Sequence, residues 1–415
     1  AGAATQLEAL AAEDKSPRPD VALISARLRQ NDLPGALKAI DGLEKKLPDR
    51  ALAYNLRGRV LLLKRDIPAA TKAFETALAK EPGYFPAVAS LAAIDLDAGR
   101  ADAARKRFED VVQANPKSYQ AHMALAELLN RTGGAPEDVI KALRAAVKAN
   151  AGEPAPHLAL VRELISRDPK AALTAAREAA AALPGNAEVQ DALGRSQLAA
   201  NDPGQAVATY KALSVAQPTS PAWQMRLGEA LLANKDIEGS KAALRRALEI
   251  RPDFTAAQRA LVGVAVLEKK YPDALAIARD MQKKNPKDPL GFSLEGDVYA
   301  SQRNWEGAIA AYRNTFQLAK SNDALVRLHT TLRAGGKRAE ADKMAADWLR
   351  EKPKDAAFRY YLGDVAMAEG NFPAAEAHYR SVLEVQPKNA LAMNNVAWLV
   401  MKQGKPGGLA LAQQA

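Results

Sequence analysis

The chain has 415 residues, 48% of them hydrophobic but only 5% aromatic, so its apolar content rests on alanine and leucine, strong helix formers that allow close packing. It has no cysteine, which excludes disulfides, thiolate metal sites and cysteine nucleophiles. Its net charge of +10 is spread as interleaved Lys, Arg, Asp and Glu without the basic stripe that nucleic-acid binding needs, and no apolar run approaches the ~18–20 residues of a membrane span.

In chain order, residues 1–16 read as a partial helix of a preceding repeat, with Leu7 and Leu10 among alanines and none of the segments of a signal peptide. From there a period of 34 residues is set by Pro48, Pro82, Pro116, Pro184, Pro218, Pro252, Pro286, Pro353 and Pro387. With each proline as the thirty-second place, units start near Pro17, Ala51, Phe85, Tyr119, Pro154, Ala187, Pro221, Thr255, Pro289, Asn322 and Ala356, filling residues 17–389. Residues 390–415 form an incomplete unit.

Each unit predicts two helices. Apolar residues at i, i+3, i+4 and i+7, as in His157, Leu160, Val161 and Leu164, give the first, and a second periodic stretch follows a turn such as Asn201-Asp202-Pro203-Gly204 or Gly370-Asn371-Phe372-Pro373. The eighth place is small (Gly58, Ala92, Ala126, Gly194, Gly228, Gly296, Gly363), and the twentieth is commonly alanine, from Ala36 to Ala375. The twenty-fourth is bulky (Phe74, Phe108, Tyr210, Leu244, Tyr312, Tyr379), a knob facing a gap.

Together with the terminal proline, this pattern resembles the tetratricopeptide signature. The resemblance implies an all-α, right-handed superhelical solenoid of about twelve helix-turn-helix repeats, in which neighbours stack to bury faces that no hairpin can bury alone and the first helices line a concave groove. The unit from Tyr119 gains a residue near Gly133-Gly134, its successor from Pro154 is one shorter, and a similar slip falls near Lys320. Softer joints are expected near residues 150 and 320, with no domain boundary between them.

Chemistry is sparse. His122, His157, His329 and His378 lie in four different units without carboxylates at ligand spacing, and His122 and His157 read as packed residues rather than a metal pair. Gly335-Gly336-Lys337-Arg338 lacks the first glycine and the hydroxyl of a phosphate loop and reads as a hairpin turn. No catalytic residue, cofactor or metal is expected.

What remains is the groove. Its ninth place runs Arg59, Ala93, Glu127, Arg162, Arg195, Glu229, Gly263, Asp297, Thr330, Asp364, Trp398, more basic in the first half and more acidic in the second. Two readings stand: a bipolar groove that orients an extended partner, or charges that are merely solvated. Asn55 with Arg59 is a candidate clamp for a carboxylate tail, and Tyr360 joins the candidate groove set. Asn394 and Asn395 beside Trp398 could grip a peptide backbone and a side chain; alternatively Trp398 is covered by a further hairpin.

Beyond the generic repeat, YFPAVASLAAIDLDAGR (84–100), LGRSQLAANDPGQA (193–206), the LEGD within 282–298, WLREKPKDAAFRYYLGD (348–364) and MNNVAWL (393–399) are similar to the TPR-repeat lipoproteins (PrsT type) of the PEP-CTERM/exosortase system of Gram-negative bacteria. That resemblance implies a non-catalytic protein–protein interaction scaffold of the cell envelope. It would be periplasmic, held to a membrane by a lipid anchor outside this segment, and would serve protein sorting and exopolysaccharide production or export. Its partners would be other proteins or extended peptide segments, polysaccharide-export or sorting components among them, and not nucleic acid. The rival readings are a periplasmic scaffold of another polysaccharide secretion system and a cytoplasmic adaptor or co-chaperone.

Overall fold

The computed structural model describes residues 2–414, and every regular element among them is an α-helix. The chain divides into two compact units, Ala1–Pro218 and Thr219–Ala415. That division falls between residues 150 and 320, where the sequence predicts no boundary, and at a repeat of ordinary length rather than at either length slip.

The first unit holds α1 (Gly2–Glu13), α2 (Arg18–Arg29), α3 (Leu33–Lys46), α4 (Ala51–Leu63), α5 (Ile67–Lys80), α6 (Phe85–Asp97) and α7 (Ala101–Ala114). It continues with α8 (Tyr119–Arg131), α9 (Pro136–Ala149), α10 (Pro154–Leu164), α11 (Pro169–Ala182), α12 (Ala187–Ala199) and α13 (Pro203–Ala216). The second holds α14 (Pro221–Ala233), α15 (Ile237–Ile250), α16 (Thr255–Leu267), α17 (Tyr271–Lys284), α18 (Pro289–Ser301) and α19 (Trp305–Ala319). It ends with α20 (Asn322–Ala334), α21 (Arg338–Glu351), α22 (Ala356–Ala368), α23 (Phe372–Val385), α24 (Ala390–Lys402) and α25 (Gly408–Gln414).

From α2 onward each even-numbered helix pairs with the odd-numbered helix after it. Several successive first helices also touch: α4 with α6, α6 with α8 and α10 with α12 in one unit, and α14 with α16, α16 with α18 and α20 with α22 in the other. No comparable contact joins successive second helices among the described residues. Elements on the inside of a bend lie closer together than those on the outside, so the first helices line the inner face of each unit.

Within a hairpin the crossing point is set by side-chain size. Alanines at the twentieth place, Ala36, Ala70, Ala104, Ala206, Ala274, Ala308, Ala341 and Ala375, are fully buried. The eighth-place glycines sit against the knobs: a Cβ on Gly58 would lie 2.5 Å from the Phe74 ring, on Gly194 2.5 Å from Tyr210, on Gly296 2.6 Å from Tyr312, and on Gly363 2.6 Å from Tyr379. Three hairpins exchange the roles. Val262 faces the second helix that carries Ala278, Val161 the one that carries Ala176, and His329 the one that carries Ala345, and all six residues are buried. The large member can stand on either helix, because what close packing conserves is the summed volume.

Most hairpin turns share one geometry. In most turns the residue two before the second helix is left-handed, with φ of 61° at Arg65, 59° at Asn201, 64° at Lys235, 60° at Lys269 and 56° at Arg303; glycine takes the same conformation at 99, 336 and 370, and at 133 in the turn that is one residue longer. An Asp or Asn then often caps the next helix: Asp66 accepts from the Ala69 amide at 3.1 Å and Asp236 from that of Gly239 at 2.8 Å. A lysine in this region carries a Cβ penalty that glycine lacks. Lys235→Gly and Lys269→Gly are each expected to stabilise the second unit by about 0.5–1 kcal/mol, less than the full penalty because glycine gains more freedom on unfolding. Urea denaturation measures this.

A second recurrent device lies at the fourth place, where a side chain reaches back six residues to the carbonyl at the preceding turn. Tyr54 Oη donates to Pro48 O at 3.0 Å, Gln190 Nε2 to Pro184 O at 3.2 Å, Gln258 Nε2 to Pro252 O at 3.0 Å, and Arg359 Nη2 to Pro353 O at 3.1 Å. His122 and His157 belong to this series: their Nε2 atoms lie 3.1 Å from Pro116 O and 3.0 Å from Ala151 O, contacts that need the Nε2–H tautomer. Both rings are buried, satisfying loop carbonyls that would otherwise lack a donor.

Candidate functional site

The inner face carries the ninth-place residues, and the structure sorts them by what they already bind. Arg59, Glu127 and Arg162 are exposed. Arg195 is also exposed but pairs with Asp191 of its own helix at 3.1 Å. In the second unit Glu229 pairs with Arg226 at 3.0 Å. Asp297 accepts from Tyr312 Oη at 2.6 Å and from Arg327, on the next first helix, at 2.7 Å, while Asp364 accepts from Tyr379 Oη at 2.6 Å. Burial first, and then these carboxylates, push the Tyr312 and Tyr379 hydroxyls well above the usual tyrosine range. Glu229 and Asp297 thus have cationic partners within the chain, whereas Asp364, held only by a neutral hydroxyl, keeps an unmatched charge on the inner face.

Asn55, the candidate partner of Arg59 in a clamp, is only 4% exposed and offers little open surface beside it. Tyr360 is half-buried and accepts from Asn395 Nδ2 at 3.0 Å, joining α22 to α24. Asn394 is exposed. Trp398 remains 45% exposed and meets Phe372 edge-on, with ring centroids 5.8 Å apart. Since Arg59, Glu127, Arg162 and Asp364 are exposed at the same place in other repeats, exposure belongs to the ninth place itself.

One recess of the inner face lies in the first unit, between α8 and α10. It is a pocket of about 680 Å³. Val139 and Leu143 of α9 form its floor, Phe85, Tyr119 and Met123 its apolar wall, and Glu127, Asn130, Arg131, Arg162 and Glu163 its polar rim. A second pocket of about 590 Å³ lies between α4 and α6, lined by Leu62, Ile67, Ala93 and Ile94.

The larger pocket sits where repeat length changes. The α8–α9 turn holds the extra residue, α11 follows α10 one residue early, and α10 has 11 residues where α8 and α12 have 13. The shortened α10 packs on α12 and makes no comparable contact with α8, and small Ala124, Ala155 and Ala159 face the gap. Of the expected groove residues the pocket unites Glu127 and Arg162. It adds Phe85, Tyr119, Met123, Asn130, Arg131 and Glu163, which a reading confined to the ninth place passes over; the length slip was their only signal in the sequence.

Two tetratricopeptide repeat family models match, one at residues 21–85, 192–253, 326–390 and 362–408 and the other at 61–128, 95–164 and 231–297, together well over half of the chain. A protein assigned as cellulose synthase operon protein C of Escherichia coli O157:H7 is 28% identical over 129 residues, 28% of this chain but only 11% of that one. Among solved structures, yeast Tom70 is similar with a TM-score of 0.46 and 13% identity, over 96% of this chain and 99% of that chain. YrrB, described as a TPR protein with an unusual peptide-binding site, gives 0.37 and 15% over 46% of this chain and 98% of its own. By its repeat matches, the chain belongs to the tetratricopeptide repeat family.

Proposed function

We propose that this protein is a non-catalytic interaction scaffold of the bacterial cell envelope, periplasmic and lipid-anchored, that serves PEP-CTERM/exosortase protein sorting and exopolysaccharide production or export. Tetratricopeptide arrays bind proteins and peptides along their inner face, and the observation that carries the binding role here is the open α8–α10 pocket on that face. The envelope assignment draws on the segments similar to exosortase-system lipoproteins and on the partial likeness to a cellulose synthase operon protein. That likeness also favours a second reading, a periplasmic scaffold of another polysaccharide secretion system. The burial of Asn55 weighs against an Asn55–Arg59 clamp and so against a co-chaperone adaptor.

Immobilised protein exposed to solubilised envelope and to cytosol of its source should retain exosortase-system or polysaccharide-export proteins, identified by mass spectrometry. Arg131→Glu with Arg162→Glu should lower that retention at least tenfold. Retention of cytosolic chaperones alone would refute the envelope assignment.

A further inference from the structure

Resting on that reading of the inner face, we infer that the α8–α10 pocket anchors an extended acidic segment of a partner protein, with one bulky apolar side chain inserted between the helices and flanking carboxylates set against Arg131 and Arg162. The apolar part follows from shape. The floor and wall are hydrocarbon and aromatic, the alanines on the facing helices leave the opening clear, and a volume of about 680 Å³ exceeds what one large side chain fills. A buried aromatic or aliphatic anchor inside a polar rim is the arrangement that concentrates binding energy.

The acidic part follows from charge bookkeeping on the rim. Glu163 is already answered, accepting from Asn130 Nδ2 at 3.2 Å and from Arg167 Nε at 2.9 Å. Arg131 and Arg162 are exposed and have no ion pair among the described residues, whereas the inner-face Arg195, Arg226 and Arg327 are all paired within the chain. Two unanswered guanidiniums on either side of an apolar opening favour carboxylates there and disfavour lysines. Glu127, also without an ion pair, remains to accept backbone N–H groups, which an extended segment presents and a helix does not.

The test is selection of a phage-displayed random nonamer library on the full chain, with sequencing of the enriched peptides. The expected result is at least tenfold enrichment of sequences that place Phe, Leu, Trp or Met beside Asp or Glu. That enrichment should vanish on Arg131→Glu/Arg162→Glu and on Ala155→Trp, which fills the opening from an exposed position; circular dichroism and the melting temperature verify that both variants fold. Enrichment of basic peptides or of peptides without a large apolar residue, unchanged selection on the variants, or no enrichment would each overturn the inference. If envelope proteins are still retained in that event, the scaffold reading stands and only the pocket assignment fails; the converse outcome removes the scaffold reading alone.

Discussion

Phe74→Ala should destabilise the first unit by about 3–5 kcal/mol, because the ring is fully buried between α4 and its neighbours and its removal leaves a cavity. Gly58→Val alone should cost about 1–3 kcal/mol or more, since its first added carbon would already lie 2.5 Å from that ring. The two together should cost clearly less than their sum, because Gly58→Val with Phe74→Ala recreates the Val262 and Ala278 arrangement found in the second unit. A double-mutant cycle by urea denaturation, with hydrogen exchange on α4 and α5 to localise the change, measures the coupling. Strict additivity would show that the size exchange between hairpins is coincidental.

Acidification from pH 6.5 to 4 should weaken the second unit through His329. The ring is 1% exposed, its Nδ1 lies 2.8 Å from Tyr361 Oη, and it packs edge-on against Phe358 and Tyr361. Burial, and next the nearby Arg333, lower its pKa to about 4, with Asp342 and Glu369 pulling weakly the other way. The unfolded chain takes up a proton near pH 6.5 while the folded one resists until about 4, so stability is full above 6.5, falls between the two values and levels off below. The span corresponds to up to about 3 kcal/mol. His378 is depressed as well, by burial and by Arg359, so the informative quantity is the difference in pH slope between the parent and His329→Gln. Equal slopes would show that His329 takes up its proton at an ordinary pH.

The fold was legible because proline and glycine punctuate this sequence at a fixed interval and small residues recur where helices must cross. Sequence spacing reports backbone repetition directly. It reports side-chain partnership poorly: Asp297 and Asp364 stand at a place that faces the groove, yet each is held by a tyrosine from the second helix, which only the crossing geometry reveals. Asn55 is a clamp candidate by residue type, but its burial depends on neighbouring helices that a single repeat does not specify. His329 stood outside the small-residue pattern at its place, and the alanine opposite it at position 345 was the available clue to why a ring fits there.

The extra residue at α8–α9 and the missing one before α11 act as a pair of opposite dislocations in a one-dimensional lattice. The two are of opposite sign and cancel, so α12 resumes the regular sequence spacing. A repeat protein altered in this way gains a recess without redesigning any core.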